Sequence, residues 1–207
     1  MWPSVSTSDS ESSGRRAARG AGRARAILLA ASLLAALPVP ARGGVLVELD
    51  DALASAFPDG ARFERQTAFL DERQSIVVER LAGSAPPSRI VTYFVALAPR
   101  DGGEVVVGFA YVETHLVRTL QETLLIVLDA EGSARRVDVL SFFEPQDYLP
   151  SRRWFGQFEG RDLDEGLRLK REIRTLSGAT LSSRSATDAV RRALALHRVL
   201  NVTGPGH

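Results

Sequence analysis

Between residues 90 and 142 the chain consists of four β-rich runs separated by short turn-forming stretches, and no other feature constrains its fold as much. Residues 90–98 and 104–113 flank Pro99-Arg100-Asp101-Gly102-Gly103. Residues 123–128 and 134–142 flank Asp129-Ala130-Glu131-Gly132. Connections this short join neighbouring antiparallel strands, because parallel pairing needs a crossover of a dozen residues or more. An antiparallel sheet of four or more strands follows, with one face buried under helices.

Helical spacing occurs on both sides of this block. Leu49, Leu53, Ala56 and Phe57 share a face, and Pro58-Asp59-Gly60 ends that run. Asp71 can cap a second helix over residues 72–81, with Ile76, Val77 and Leu81 inward and Gly83 past its end. Between them Phe63, Phe69 and Leu70 read as extended or irregular. Two prolines exclude a regular element over residues 143–150. Trp154, Phe155 and Phe158 then suit a short helix, either as core or as a ring-stacking platform. A closing helix from about residue 184 to 199 carries Ala186, Ala189, Val190, Ala193, Leu194 and His197 along one stripe. Arg184, Asp188, Arg191, Arg192 and Arg198 fall mostly outward. The class is α+β, with an N-terminal helical segment over 45–87, a main domain over 88–200 and a tail over 201–207.

Charge separates the first 41 or so residues from the rest. The net charge is +1, but residues 1–42 hold six arginines against Asp9 and Glu11, leaving an excess of three acids elsewhere. A nucleic-acid surface is therefore not expected. Arg15, Arg16, Arg19, Arg23 and Arg25 precede an apolar run over residues 26–37 and then Pro38-Val39-Pro40-Ala41. This order is that of an export signal over 1–41, cleaved or kept as an N-terminal membrane anchor, and directs the domain to the periplasm or the outer face of the cytoplasmic membrane. The chain has no cysteine, which excludes disulfides, thiol-linked haem, iron–sulfur ligation and lipoprotein anchoring.

Familiar catalytic patterns are missing. His115, His197 and His207 show no metal-ligand spacing, and the lone Lys170 does not follow a Gly-rich loop. No nucleophile elbow or dinucleotide fingerprint is present. His197 reads as structural, whereas His115, at a strand end beside Glu113, is a candidate to line a site. Ser177-Gly178-Ala179-Thr180-Leu181-Ser182-Ser183 stands apart, because a loop rich in hydroxyls and small residues there turns into a helix. Such a junction can bind a phosphate through free N–H groups or be capped by its own serines. The residue types leave both readings open.

That loop, ahead of an alanine-rich helix, resembles the SGAT motif of FMN-binding domains. These occur in the FMN subunits of Rnf-type and sodium-pumping respiratory complexes and in smaller exported flavoproteins. Glu144-Pro145-Gln146-Asp147-Tyr148 and Trp154-Phe155-Gly156-Gln157-Phe158 are similar to the stretch that precedes the motif there. The resemblance spans about residues 88–199. It implies FMN as cofactor, joined through a phosphoester to Thr180 by a flavin transferase acting on FAD. Ser177, Gly178, Ala179, Leu181, Ser182 and Ser183 would surround the phosphate, and Glu144, Tyr148 and His115 would line the flavin. It further implies an electron carrier working with membrane or periplasmic redox proteins, not an enzyme with its own substrate. Arg174 stands where the family usually has aspartate, a reversal that could pair with the phosphate and suit non-covalent FMN. A secreted interaction module without cofactor is the alternative of a different class.

Overall fold

A computed structural model describes residues 44–200. The segment expected to be an export signal and the tail with His207 lie outside the described residues. Six strands form one antiparallel sheet: β1 (Gly44–Val45), β2 (Arg62–Phe69), β3 (Ile90–Arg100), β4 (Gly103–Leu116), β5 (Gln121–Leu128) and β6 (Ala134–Phe142). Their order across the sheet is β1-β6-β5-β4-β3-β2, a meander from β2 to β6 with β1 added at the far edge. The tight turns at 101–102 and 129–133 make this order, since each strand pairs with the one that follows it.

The segment over 45–87 is helical only in part. Between α1 (Leu49–Ala56) and α2 (Glu72–Ala82), β2 pairs along β3 from Arg62 opposite Leu97 to Phe69 opposite Ile90. Arg62 also bridges to Glu104, at 2.6 Å. The stretch expected to be extended or irregular is thus an edge strand of the same sheet. Asp71 caps α2 as expected, accepting the Gln74 N–H while the Gln74 side chain accepts from Asp71 N–H, and Gly83 ends the helix at φ 83°. The inward face is different from that expected. Val78 and Ala82 are buried, whereas Ile76 and Val77 are exposed. The buried stripe begins at the half-buried Gln74 and Ser75, so hydropathy alone places it wrongly.

Both faces of the sheet are covered, where one was expected. Successive side chains of a strand point to opposite faces: Phe109 and Tyr111 face α2, α3 (Arg152–Phe155) and α4 (Thr180–Leu200), while Ala110 lies with Phe94, Leu125 and Val127 under Leu53 and Phe57 of the α1 segment. Trp154, Phe155 and Phe158 are buried in the first core, which resolves their two readings in favour of packing. Among the described residues no helix is long and apolar enough to cross a membrane.

Helix α4 begins four residues earlier than expected and is buried almost all round, because the sheet covers one side and α2 another. Ala186, Ala189 and Ala193 allow that close approach. Arg191 and Arg192, expected outward, are both buried. Arg191 donates to the carbonyls of Ala82, Leu81, Leu167 and Asp164, so its charge sits against the C-terminal end of α2. Arg192 pairs with Glu113, and His197 meets the Tyr111 hydroxyl at 3.1 Å. Moving along α4 therefore means moving backwards along β4. The start of α4 comes to lie at the β4–β5 turn.

Candidate functional site

The start of α4 is held open by its own sequence. Leu176 accepts the Ala179 N–H across a turn in which Gly178 has φ 83°, a left-handed conformation that glycine adopts without Cβ strain. Ala179 then accepts the first helical bond, from Ser183 N–H at 2.9 Å. An alanine here has no side chain to cap the helix. The N–H groups of Thr180, Leu181 and Ser182 meet no acceptor among the described residues. Of the two readings of this junction, capping by its serines is not the one adopted. Ser183 lies inside the helix, where its hydroxyl donates to the Ala179 carbonyl and accepts the Leu176 N–H.

A cavity of about 250 Å³ opens over these free groups. It is lined by Gly178, Ala179, Thr180, Leu181 and Ser182 from the α4 junction, by Val117 and Arg118 from the β4–β5 turn, and by Glu144 and Tyr148 after β6. The turn is fixed in place by Glu144. Its Oε1 accepts the N–H groups of Thr119 at 2.9 Å and Leu120 at 3.0 Å, and the Thr119 hydroxyl at 3.4 Å. These bonds, the Thr119 N–H foremost, hold the Glu144 carboxyl below the usual carboxylate range. Tyr148 lies in a short 3-10 turn over Gln146–Tyr148, with the Arg118 guanidinium 5.4 Å from its ring centre. Leu181, which lines the cavity, is exposed, and exposed Leu116, Leu120 and Phe143 lie next to lining residues in the chain or in the same turn.

Seven of the residues singled out in the sequence meet at this cavity: Gly178, Ala179, Thr180, Leu181, Ser182, Glu144 and Tyr148. Three do not line it. Ser177 is exposed on the outer side of the turn, Ser183 is committed to the backbone, and the His115 ring turns into the protein, with Nε2 3.0 Å from Glu122. Arg174 does not line it either. Its backbone is fastened by the Trp154 indole N–H and the Gln157 side chain, and the residue is exposed. The cation at the cavity is instead Arg118. A lone arginine in a turn carries no sequence signal, and only the pairing of β4 with β5 brings it there.

The donors gathered at this cavity suit an anion. Helix dipole, three free N–H groups and a guanidinium converge at an entrance without bulky side chains at Gly178 and Ala179. A phosphate monoester fits that donor set. Among the described residues no cluster suited to a metal ion occurs. A family model described as the FMN-binding domain matches residues 91–195, a range that takes in every cavity-lining residue. No curated protein and no solved structure matches the chain.

Proposed function

The chain belongs to the FMN-binding domain family and has FMN as its cofactor, and from that premise we propose that it is an exported electron-transfer flavoprotein with FMN joined through a phosphoester to Thr180. The observation that carries this reading is the uncapped start of α4, whose free N–H groups open on the cavity beside Arg118. The Thr180, Leu181 and Ser182 N–H groups and the Arg118 charge would hold the phosphate of bound FMN. The Thr180 hydroxyl has no hydrogen bond to any described residue and borders the cavity. Its oxygen takes the FMN phosphate from FAD, AMP leaves, and the hydroxyl proton passes to the transferase or to water.

The bound flavin supplies electron transfer, and the protein supplies its binding and surroundings. Tyr148 and Leu181, which line the cavity, offer apolar surface to the ring system. Redox partners would meet the flavin at the mouth of the cavity, and we place them in the periplasm or at the outer face of the membrane, as for the FMN subunits of Rnf-type and sodium-pumping complexes. An N-terminal signal and a covalent tether belong together, because a carrier outside the cell cannot recover a lost cofactor.

Arg174 supports a second reading, non-covalent FMN, since it presents the transferase with an exposed cation where relatives have aspartate. The two separate on a denaturing gel after coexpression with a flavin transferase and export. A fluorescent band that disappears in Thr180→Ala supports the phosphoester. Yellow native protein whose fluorescence is lost on denaturation supports the non-covalent form.

A further inference from the structure

Beneath the cavity, on the face of the sheet that packs against α4, lies a buried charged set that the anion site does not use. His115 and Glu122 are direct partners across β4 and β5, with Nε2 and Oε2 3.0 Å apart. His115 Nδ1 is 3.7 Å from Glu113 Oε1, which takes the Arg192 guanidinium through Nε at 2.9 Å and through a second nitrogen. Arg192 also donates to the Ser84 hydroxyl, at 2.9 Å. The side chains of Glu113, His115, Glu122 and Arg192 are each at least nine-tenths buried, and Glu122 is fully so. Three atoms in the set are buried with no partner: Glu113 Oε2, His115 Nδ1 and Glu122 Oε1.

The charges do not balance in their ordinary states. Two carboxylates face one guanidinium, and a neutral imidazole leaves one negative charge in the interior. Burying an uncompensated charge is strongly unfavourable. Asp188, one turn before Arg192, adds no positive charge; it lies among Arg184, Arg168, Arg191 and Arg192. On β6 the partner of Glu122 is Phe142, which brings none. A metal ion is not the answer, because Arg192 already occupies the set and no metal-binding cluster occurs among the described residues. One added proton would neutralise the set and give an orphaned oxygen or nitrogen a hydrogen to donate.

We propose that Glu113, His115, Glu122 and Arg192 form a buried one-proton site, shared among its three acceptors and coupled electrostatically to the FMN cavity. The coupling rests on the reading that the cavity holds FMN. His115, near the end of β4, is two residues before cavity-lining Val117, at most about 7 Å along the chain. Glu122 is the second residue of β5, after the turn that carries Arg118. A negative phosphate at the cavity favours the protonated set, and by linkage the protonated set favours FMN. Burial also pushes the Glu113 carboxyl up, despite the neighbouring Arg192, and the proton belongs to the set as a whole.

The test begins with the FMN-free exported protein, unfolded in urea between pH 7 and pH 9. The folded chain holds one proton that the unfolded chain has lost, so its folding equilibrium constant falls about tenfold per pH unit above the histidine range. With no cysteine in the chain, that window is clear of thiols. Glu122→Gln removes the excess negative charge and flattens the slope. A flat wild-type profile overturns the proton site, and it does so even if the variant fails to fold. An unchanged slope in a folded variant also overturns it. Titration of free FMN into unflavinylated protein over the same range tests the coupling. Affinity falls with pH in the wild type and stays level in Glu122→Gln; equal pH dependence overturns the coupling. Absence of FMN binding at any pH overturns the cavity reading instead, while the urea slope still decides the proton site.

Discussion

Arg191 of α4 donates from Nε to the carbonyl of Ala82, the last residue of α2, at 2.7 Å, a bond between residues 109 apart in the chain. Its other nitrogens hold Leu81, Asp164 and Leu167, so one guanidinium closes the end of α2 and the irregular segment before Ile173. Arg191→Met keeps much of the volume but leaves these carbonyls without donors. Each buried acceptor so abandoned costs about 1–3 kcal/mol. The variant is expected to lose at least ~3 kcal/mol in urea unfolding, and Arg191→Lys to restore little of it, because an ammonium cannot reproduce the fork.

Glu144 gives a pH-dependent consequence. Its folded-state pKa is lowered by the Thr119 and Leu120 N–H groups. The stabilisation is therefore present above the ordinary carboxylate pKa near 4.5 and is lost as pH falls through the lower folded-state value. Glu144→Gln is expected to flatten the acid limb of a pH–stability profile and to weaken FMN binding at neutral pH, because the β4–β5 turn no longer holds Arg118 at the cavity. Urea midpoints from pH 3 to 6, with FMN titrations at pH 7, check both effects.

The Arg118 side chain is exposed at the cavity beside the Tyr148 ring and makes no side-chain hydrogen bond or ion pair with a described residue. Arg118→Gln should leave stability within about 0.5 kcal/mol. A charge-assisted bond to a phosphate contributes about 1.5–3 kcal/mol, so the affinity for free FMN is expected to fall roughly tenfold to a hundredfold. Flavin fluorescence quenching on titration measures it.

What the sequence made legible follows from the range of each interaction. The hairpins of β3–β4 and β5–β6, the Asp71–Gln74 capping box and the loop-to-helix junction at Thr180 are local. Their turn residues, caps and periods lie within a few positions of each other. Arg191 and Arg192 look like a solvated face because their partners are dozens of residues away, in α2, β4 and the segment at 164–167. Hydropathy cannot signal a buried arginine. The resemblance points His115 at the flavin, whereas in the structure its ring meets Glu122. The β4–β5 register was a usable signal, since folding the chain about residues 117–120 places Glu122 opposite it. The serines misled in the opposite sense: Ser183 looked available for capping or phosphate, but a helix starting at Thr180 turns it inward.

The central claim is that the phosphate of FMN is attached at the uncapped start of α4, and intact mass of the exported protein tests it most directly. Coexpressed with a flavin transferase, the wild type is expected to be heavier than Thr180→Ala by one FMN group, beyond the difference between the two side chains. A wild-type protein that carries no such addition, and remains colourless when FMN is supplied, would contradict the account.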